Sequence, residues 1–106
     1  MRLLTRYRIR LIVKEVRGSC ALGYKVGDEI IVERYYIPGW QKCKICLHVL
    51  TGMVTLLVPF AKGISAKELG IGNTDDTGYV QCPDPGKPYT EGGTVVFELN
   101  RKKMED

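Results

Sequence analysis

The chain has 106 residues, 44% hydrophobic and 26% charged, with a formal net charge of +4 and four cysteines. This length suits one domain spanning residues 1–106, which at this size buries roughly two thirds of the surface its unfolded chain exposes, and the balance of apolar and charged residues excludes a disordered or fibrous chain. The start, Met1 to Arg8, has no uninterrupted apolar run or small-residue cleavage site, and the most apolar stretch, Ile45 to Phe60, is broken by His48, Thr51, Gly52 and Pro59 and falls short of the ~20 residues that cross a bilayer; a cytoplasmic protein without membrane partners is expected.

In chain order, Tyr7, Ile9, Leu11 and Val13 alternate with Arg6, Arg8, Arg10 and Lys14, the two-residue period of a half-buried strand over Tyr7 to Val16. Gly18 and Gly23 punctuate a loop, and Val26-Gly27-Asp28 leads into a β-branched second strand, Glu29 to Glu33. Lys42 to Leu50 lacks strand alternation and predicts a helix that bends or restarts at Gly52 and ends near Pro59 to Gly63. A serine cap and a terminal glycine predict a short helical turn over Ser65 to Gly70. Tyr79 to Cys82 reads as a short strand, Pro83 to Gly86 as a rigid turn, Thr94 to Asn100 as the last strand, and 101–106 as a polar, frayed tail. The sum is an α+β fold, a mainly antiparallel sheet of about four strands in the order β-β-α-β-β with one main helical segment on a face.

Three stretches form a further pattern: Gly18-Ser19-Cys20-Ala21-Leu22-Gly23-Tyr24-Lys25-Val26-Gly27-Asp28, then Ile45-Cys46 ahead of an apolar helix, then Cys82-Pro83-Asp84-Pro85 before Val95-Val96-Phe97-Glu98-Leu99. In this order, over nearly the whole chain, they resemble a small, functionally uncharacterised bacterial and archaeal domain family. The resemblance implies a stand-alone domain in which the positions of Cys20, Cys46 and Cys82 are typically cysteine and that of Tyr24 is usually histidine. This chain departs from the pattern at Tyr24, adds Cys43, and carries Ala61-Lys62-Gly63 where the family has an aromatic and Gly-Gly segment. A ligand or proton-carrying role for the histidine would here be lost or moved to His48.

Cysteines in a reducing compartment point to metal binding, redox chemistry or plain burial before disulfides. Cys43-Lys44-Ile45-Cys46 is a CxxC, a spacing that lets two thiolates meet one metal or form a redox disulfide. With no second CxxC, a zinc or other transition-metal site would need Cys20, Cys43, Cys46 and Cys82 together, with His48 as a substitute. Tyr24, Lys25 and Asp28 could contribute to a pocket for a small anion, although Lys-Val-Gly-Asp is also a common turn into a strand; Pro83 and Pro85 would hold Cys82 and Asp84 in place. The arginines of the first strand carry no accompanying nucleic-acid motif, and Glu29, Glu33 and Glu98 could pair with them across strands, so nucleic acid is disfavoured as a partner. No triad, phosphate-binding loop or dinucleotide fingerprint is present, which leaves enzymatic activity open. The expected function is a binding module with Cys20, Cys46, Cys82, Tyr24, Lys25 and Asp84 around a small-molecule pocket or metal site. The alternatives are a thiol-dependent enzyme or redox module, and an interaction module with no chemistry. The apolar load of Tyr35, Tyr36, Trp40, Met53 and Phe60 suggests a homo-oligomer.

Overall fold

A computed structural model describes residues 7–104. Five elements follow in the expected order: β1 (Tyr7–Arg17), β2 (Glu29–Glu33), α1 (Leu47–Ala61), β3 (Thr77–Gln81) and β4 (Thr94–Lys103). All strands pair antiparallel in one open sheet, ordered β2-β1-β4-β3. The long β1 and β4 sit side by side at its centre, and α1 packs across one face in an α+β fold. This helix is too short to cross a membrane, and among the described residues no helix is long and apolar enough to do so.

Ile9, Leu11 and Val13 are buried and Arg8, Arg10 and Lys14 exposed, the orientation that the alternation of β1 predicts; Arg6 lies outside the described residues. The phase then changes. Lys14 and Glu15 together oppose Val96, a bulge that turns Val16 inward opposite Val95. The inner face of the sheet thus gathers Ile9, Leu11, Val13, Ile30, Val32, Val95, Phe97 and Leu99 against Val49, Met53, Leu57 and Phe60 of α1. On the outer face Glu98 shares the side of Arg8 and Arg10, since it lies opposite Ile12. Arg8 pairs with Glu33, Arg10 with Glu29 and Lys14 with Glu98, so the basic face of β1 is matched by carboxylates of both neighbouring strands.

The free border of β2 is closed by the chain that follows it. Glu29 O accepts from Cys43 Sγ at 3.1 Å. Ile31 N–H donates to Gln41 Oε1 at 2.9 Å, and Gln41 Nε2 donates to Ile31 O at 2.8 Å. Glu33 exchanges two backbone bonds with Tyr36. Residues 36–43 therefore serve as a side-chain substitute for a further strand, and helix formation waits until Leu47, later than the expected start at Lys42. Once begun, α1 runs through Gly52 without a break, because the glycine is needed for contact: a Cβ there would lie 3.1 Å from Pro83 Cδ. Residues 66–70 form a hydrogen-bonded turn, not a helix, with Ser65 Oγ accepting from Lys67 N–H and donating to Asp75.

A further departure is at the C-terminal end, where β4 continues to Lys103 in place of the frayed tail expected from Arg101 on; Glu105 and Asp106 lie outside the described residues. Arg101 explains it. Its side chain is only 3% exposed. Nη1 donates to Phe60 O at 2.9 Å and Ile64 O at 2.6 Å, Nε donates to Asp76 Oδ1 at 2.8 Å, and the guanidinium lies 4.4 Å from the ring centroids of both Tyr7 and Phe60. Arg101 thereby ties Phe60 O at the C-terminal end of α1, which also accepts from Gly63 N–H, to Ile64 O in the segment that follows. Met53 and Phe60 are likewise buried, which removes them from the apolar load expected at the surface, whereas Tyr35, Tyr36 and Trp40 are exposed. Replacing Arg101 by Met should lower the unfolding free energy in urea by about 2–4 kcal/mol, since charge-assisted bonds to two carbonyls are lost. Asp76→Ala, whose carboxylate is well exposed, should cost less than about 1 kcal/mol. Equal losses would mean that the ion pair, not the carbonyl contacts, holds the helix end.

Candidate functional site

The β1–β2 loop carries Tyr24 inward, where its ring meets Phe97 edge to face with centroids 5.7 Å apart. Its hydroxyl donates to Lys44 O at 2.8 Å and accepts from Cys46 N–H at 2.9 Å. Cys46 is the N-cap of α1 and makes no side-chain capping bond, so a phenol from a distant loop serves the helix start instead. Burial pushes the Tyr24 pKa up to about 12, with the nearby Cys43, Cys46 and Cys20 charges adding to the effect and the Cys46 amide opposing it. Tyr24 is thus a neutral structural bridge between the first loop and α1. Lys25 and Asp28 behave as the turn residues of the simpler expectation: Lys25 N–H donates to Asp28 Oδ2 at 2.9 Å, and the Lys25 side chain is exposed.

Cys20, Cys46 and Cys82 come from three separate segments, and Cys82 lies near enough to Cys46 and Cys20 to feel their charge. Burial raises the pKa of Cys82, and charges on Cys46, Asp84 and Cys20 raise it further, against a bond from Asp84 N–H to its sulfur. The Cys82 backbone is fixed by its N–H bond to Val95 O. Cys43 is occupied by the border of β2, and its pKa is also raised, first by burial and then by Asp28 and Glu29. Cys20 and Cys46 are half-buried, and among the described residues neither sulfur makes a hydrogen bond. No group of three or more His, Cys, Asp or Glu among the described residues is placed to hold a metal ion. The four-cysteine zinc set is therefore not assembled in this structure, because Cys43 is turned to a backbone carbonyl and Cys82 into the core.

Asp84 organises the loop between β3 and β4. Its Oδ1 accepts from Gly86 N–H at 2.8 Å and from the Thr90 hydroxyl, while Thr94 Oγ1 donates to its carbonyl at 2.7 Å. The Thr90 bond, then the Gly86 amide and the charge of nearby His48, hold its carboxyl below the usual carboxylate range. Side by side with this loop runs the Gly18–Ser19 turn. A Cβ on Gly93 would run into the Arg17 carbonyl and the Ser19 amide, so the two loops can approach this closely only through glycine. Between them lies a polar cavity of about 370 Å³ lined by Arg17, Gly18, Ser19, Gly86, Lys87 and Thr94. Lys87, Gly86 and Arg17 were not among the residues that the sequence singled out for this role; the paired glycine-rich turns flanking Cys20 and Cys82 were the available signal.

No family model, curated protein or solved structure matches the chain.

Tyr24→Phe leaves the Cys46 amide and the Lys44 carbonyl without their partner and should destabilise the fold by about 1–3 kcal/mol. The gap has a pH dependence of known sign. The folded state holds the Tyr24 proton more tightly than the unfolded chain, whose phenol ionises near ~10, so the wild type loses this stabilisation as pH rises towards about 12. Chemical denaturation across that window should show the two proteins converging. In a separate experiment at about pH 7, iodoacetamide should label Cys20 and Cys46 at least about tenfold faster than Cys43 and Cys82, whose pKa values are raised. Peptide mass spectrometry reads the order, and early labelling of Cys43 would contradict its place at the β2 border.

Proposed function

We propose that the chain is a binding module for a small anionic ligand, held in the polar cavity between the Gly18–Ser19 turn and the Asp84-ordered loop. One observation carries this reading: two glycine-rich loops, from opposite ends of the chain, meet to leave a cavity flanked by the cations Lys87 and Arg17, the latter also paired with Glu15. Glycines allow an anion to reach backbone amides, and lysine and arginine supply the compensating charge. Asp84, fixed by Gly86, Thr90 and Thr94, holds the second loop in shape before any ligand arrives.

Titration of the labelled protein with inorganic phosphate and then pyrophosphate, followed by amide NMR, should give saturable shifts at Gly18, Ser19, Gly86 and Lys87. Lys87→Met should weaken binding by about tenfold, equivalent to ~1.4 kcal/mol. Shifts scattered over the surface, or a Lys87→Met protein that binds unchanged, would reject the site. A second reading, thiol-dependent chemistry, is favoured by Cys46 alone: it is half-buried at the N-terminus of a 15-residue helix with no hydrogen bond at sulfur. That reading needs fast, selective alkylation at Cys46 to survive.

A further inference from the structure

Arg34, just after β2, is unusual in two independent ways. Its backbone sits at φ 59, in the left-handed region that non-glycine residues seldom enter. Its Nε is buried without a hydrogen-bond partner, the only side-chain nitrogen or oxygen so placed among the described residues. The nearest carboxylate in sequence, Glu33, is held by Arg8, and among the described residues no acid pairs with Arg34. A guanidinium cannot escape this position by losing its proton. Nε is closed off from solvent, but Arg34 as a whole is only half-buried; a cation with no paired acid among the described residues, held by an uncommon backbone conformation, can take an anionic partner through its Nη groups.

Arg34 lines a cleft of about 270 Å³ between the end of β2 and α1. The lining is otherwise apolar or aromatic, with Leu50, Val54, Leu57 and Val58 from the helix and Val32 and Ile37 from the β2 side. Val54 and Val58 remain exposed although they face this cleft, and Tyr35 and Tyr36 stand exposed at its rim. The helix is therefore left partly uncovered where the guanidinium waits. The site lies further along α1 than the thiols and shares no residue with the polar cavity.

We propose that this cleft binds a small amphipathic monocarboxylate, with the carboxylate paired to the Nη end of the Arg34 guanidinium and an apolar body covering Leu50, Val54 and Val58. One charge calls for a monoanion: Arg34 is the only charged residue of the lining, so a phosphate dianion would be left undercompensated. The volume, near the lower end of the roughly 300–1,000 Å³ typical of ligand pockets, calls for a short alkyl chain or a single ring. This proposal is independent of the anion reading for the polar cavity.

The test uses the full chain with methyl-labelled Leu and Val. Octanoate should give saturable shifts at Leu50, Val54, Leu57 and Val58, and octan-1-ol, with the same body and no charge, should bind at least about tenfold more weakly. 3-Phenylpropanoate, run in parallel, distinguishes a ring from a chain as the preferred body. Arg34→Met should reduce octanoate to the affinity of octan-1-ol and leave the alcohol unchanged. The head-group comparison on the wild type stands even if that variant does not fold. Equal binding of acid and alcohol, no saturable shift with either acid, or concentration-dependent shifts of the same methyls without ligand, which would mark a second copy as the occupant, would overturn the proposal.

Discussion

A guanidinium taken out of water must be given acceptors, and Arg101 finds them where a helix ends. Its place in β4 makes it part of the sheet, while its Nη1 bonds belong to the end of α1 and the turn after it. One side chain thereby fixes how the helix lies across the central strands, between the rings of Tyr7 and Phe60. The other end of the helix is fixed by Tyr24, through Lys44 O and Cys46 N–H. With both ends tied, the middle of α1 is positioned by packing alone, and Gly52 can accept the Pro83 ring against the helix backbone. The thiol neighbourhood and the Asp84 loop inherit their location from these constraints.

Much of the architecture was written in local pattern. The alternation of Ile9, Leu11 and Val13 with arginines set both the strand and its inward face, because burial in an antiparallel sheet with one wet side leaves only one register. The bulge at Lys14 left no such mark, since it depends on how two strands of unequal phase must pair. The start of α1 was misplaced for a related reason. Gln41, Cys43 and Lys44 are in a stretch with good helix formers, but their polar groups are taken by Ile31, Glu29 and Tyr24, and tertiary bonds of that kind override local propensity. Arg101 was invisible as a core residue because a polar residue near a terminus ordinarily stays in water.

The candidate sites divide along the same line. The glycine and proline punctuation around Cys20 and Cys82 was legible, and the loops it marks meet where Gly93 lies against Gly18 and Ser19. What the thiols do there was not. Cys43 and Cys46 form the one recognisable motif, yet they take different roles in the fold, one giving its S–H to a strand carbonyl and the other standing as the N-cap of a helix. Arg34 had no sequence signature, since neither its left-handed backbone nor its idle donor follows from the neighbouring residues.

The closed border of β2 bears on how the protein would fail. Ile30, Ile31 and Val32 make a short, apolar, β-branched run of the type that can template cross-β stacking when its backbone is bare. Here Cys43, Gln41 and Tyr36 consume the outward groups from Glu29 O to Glu33, so another chain cannot add itself to this border while residues 36–43 stay in place. Self-association through that border is gated by peeling back the covering segment, a local opening that does not require the central strands to part. Resistance to aggregation at β2 is therefore set by the hold of one glutamine, one thiol and the Tyr36 backbone on five residues of strand, and not by the stability of the domain as a whole.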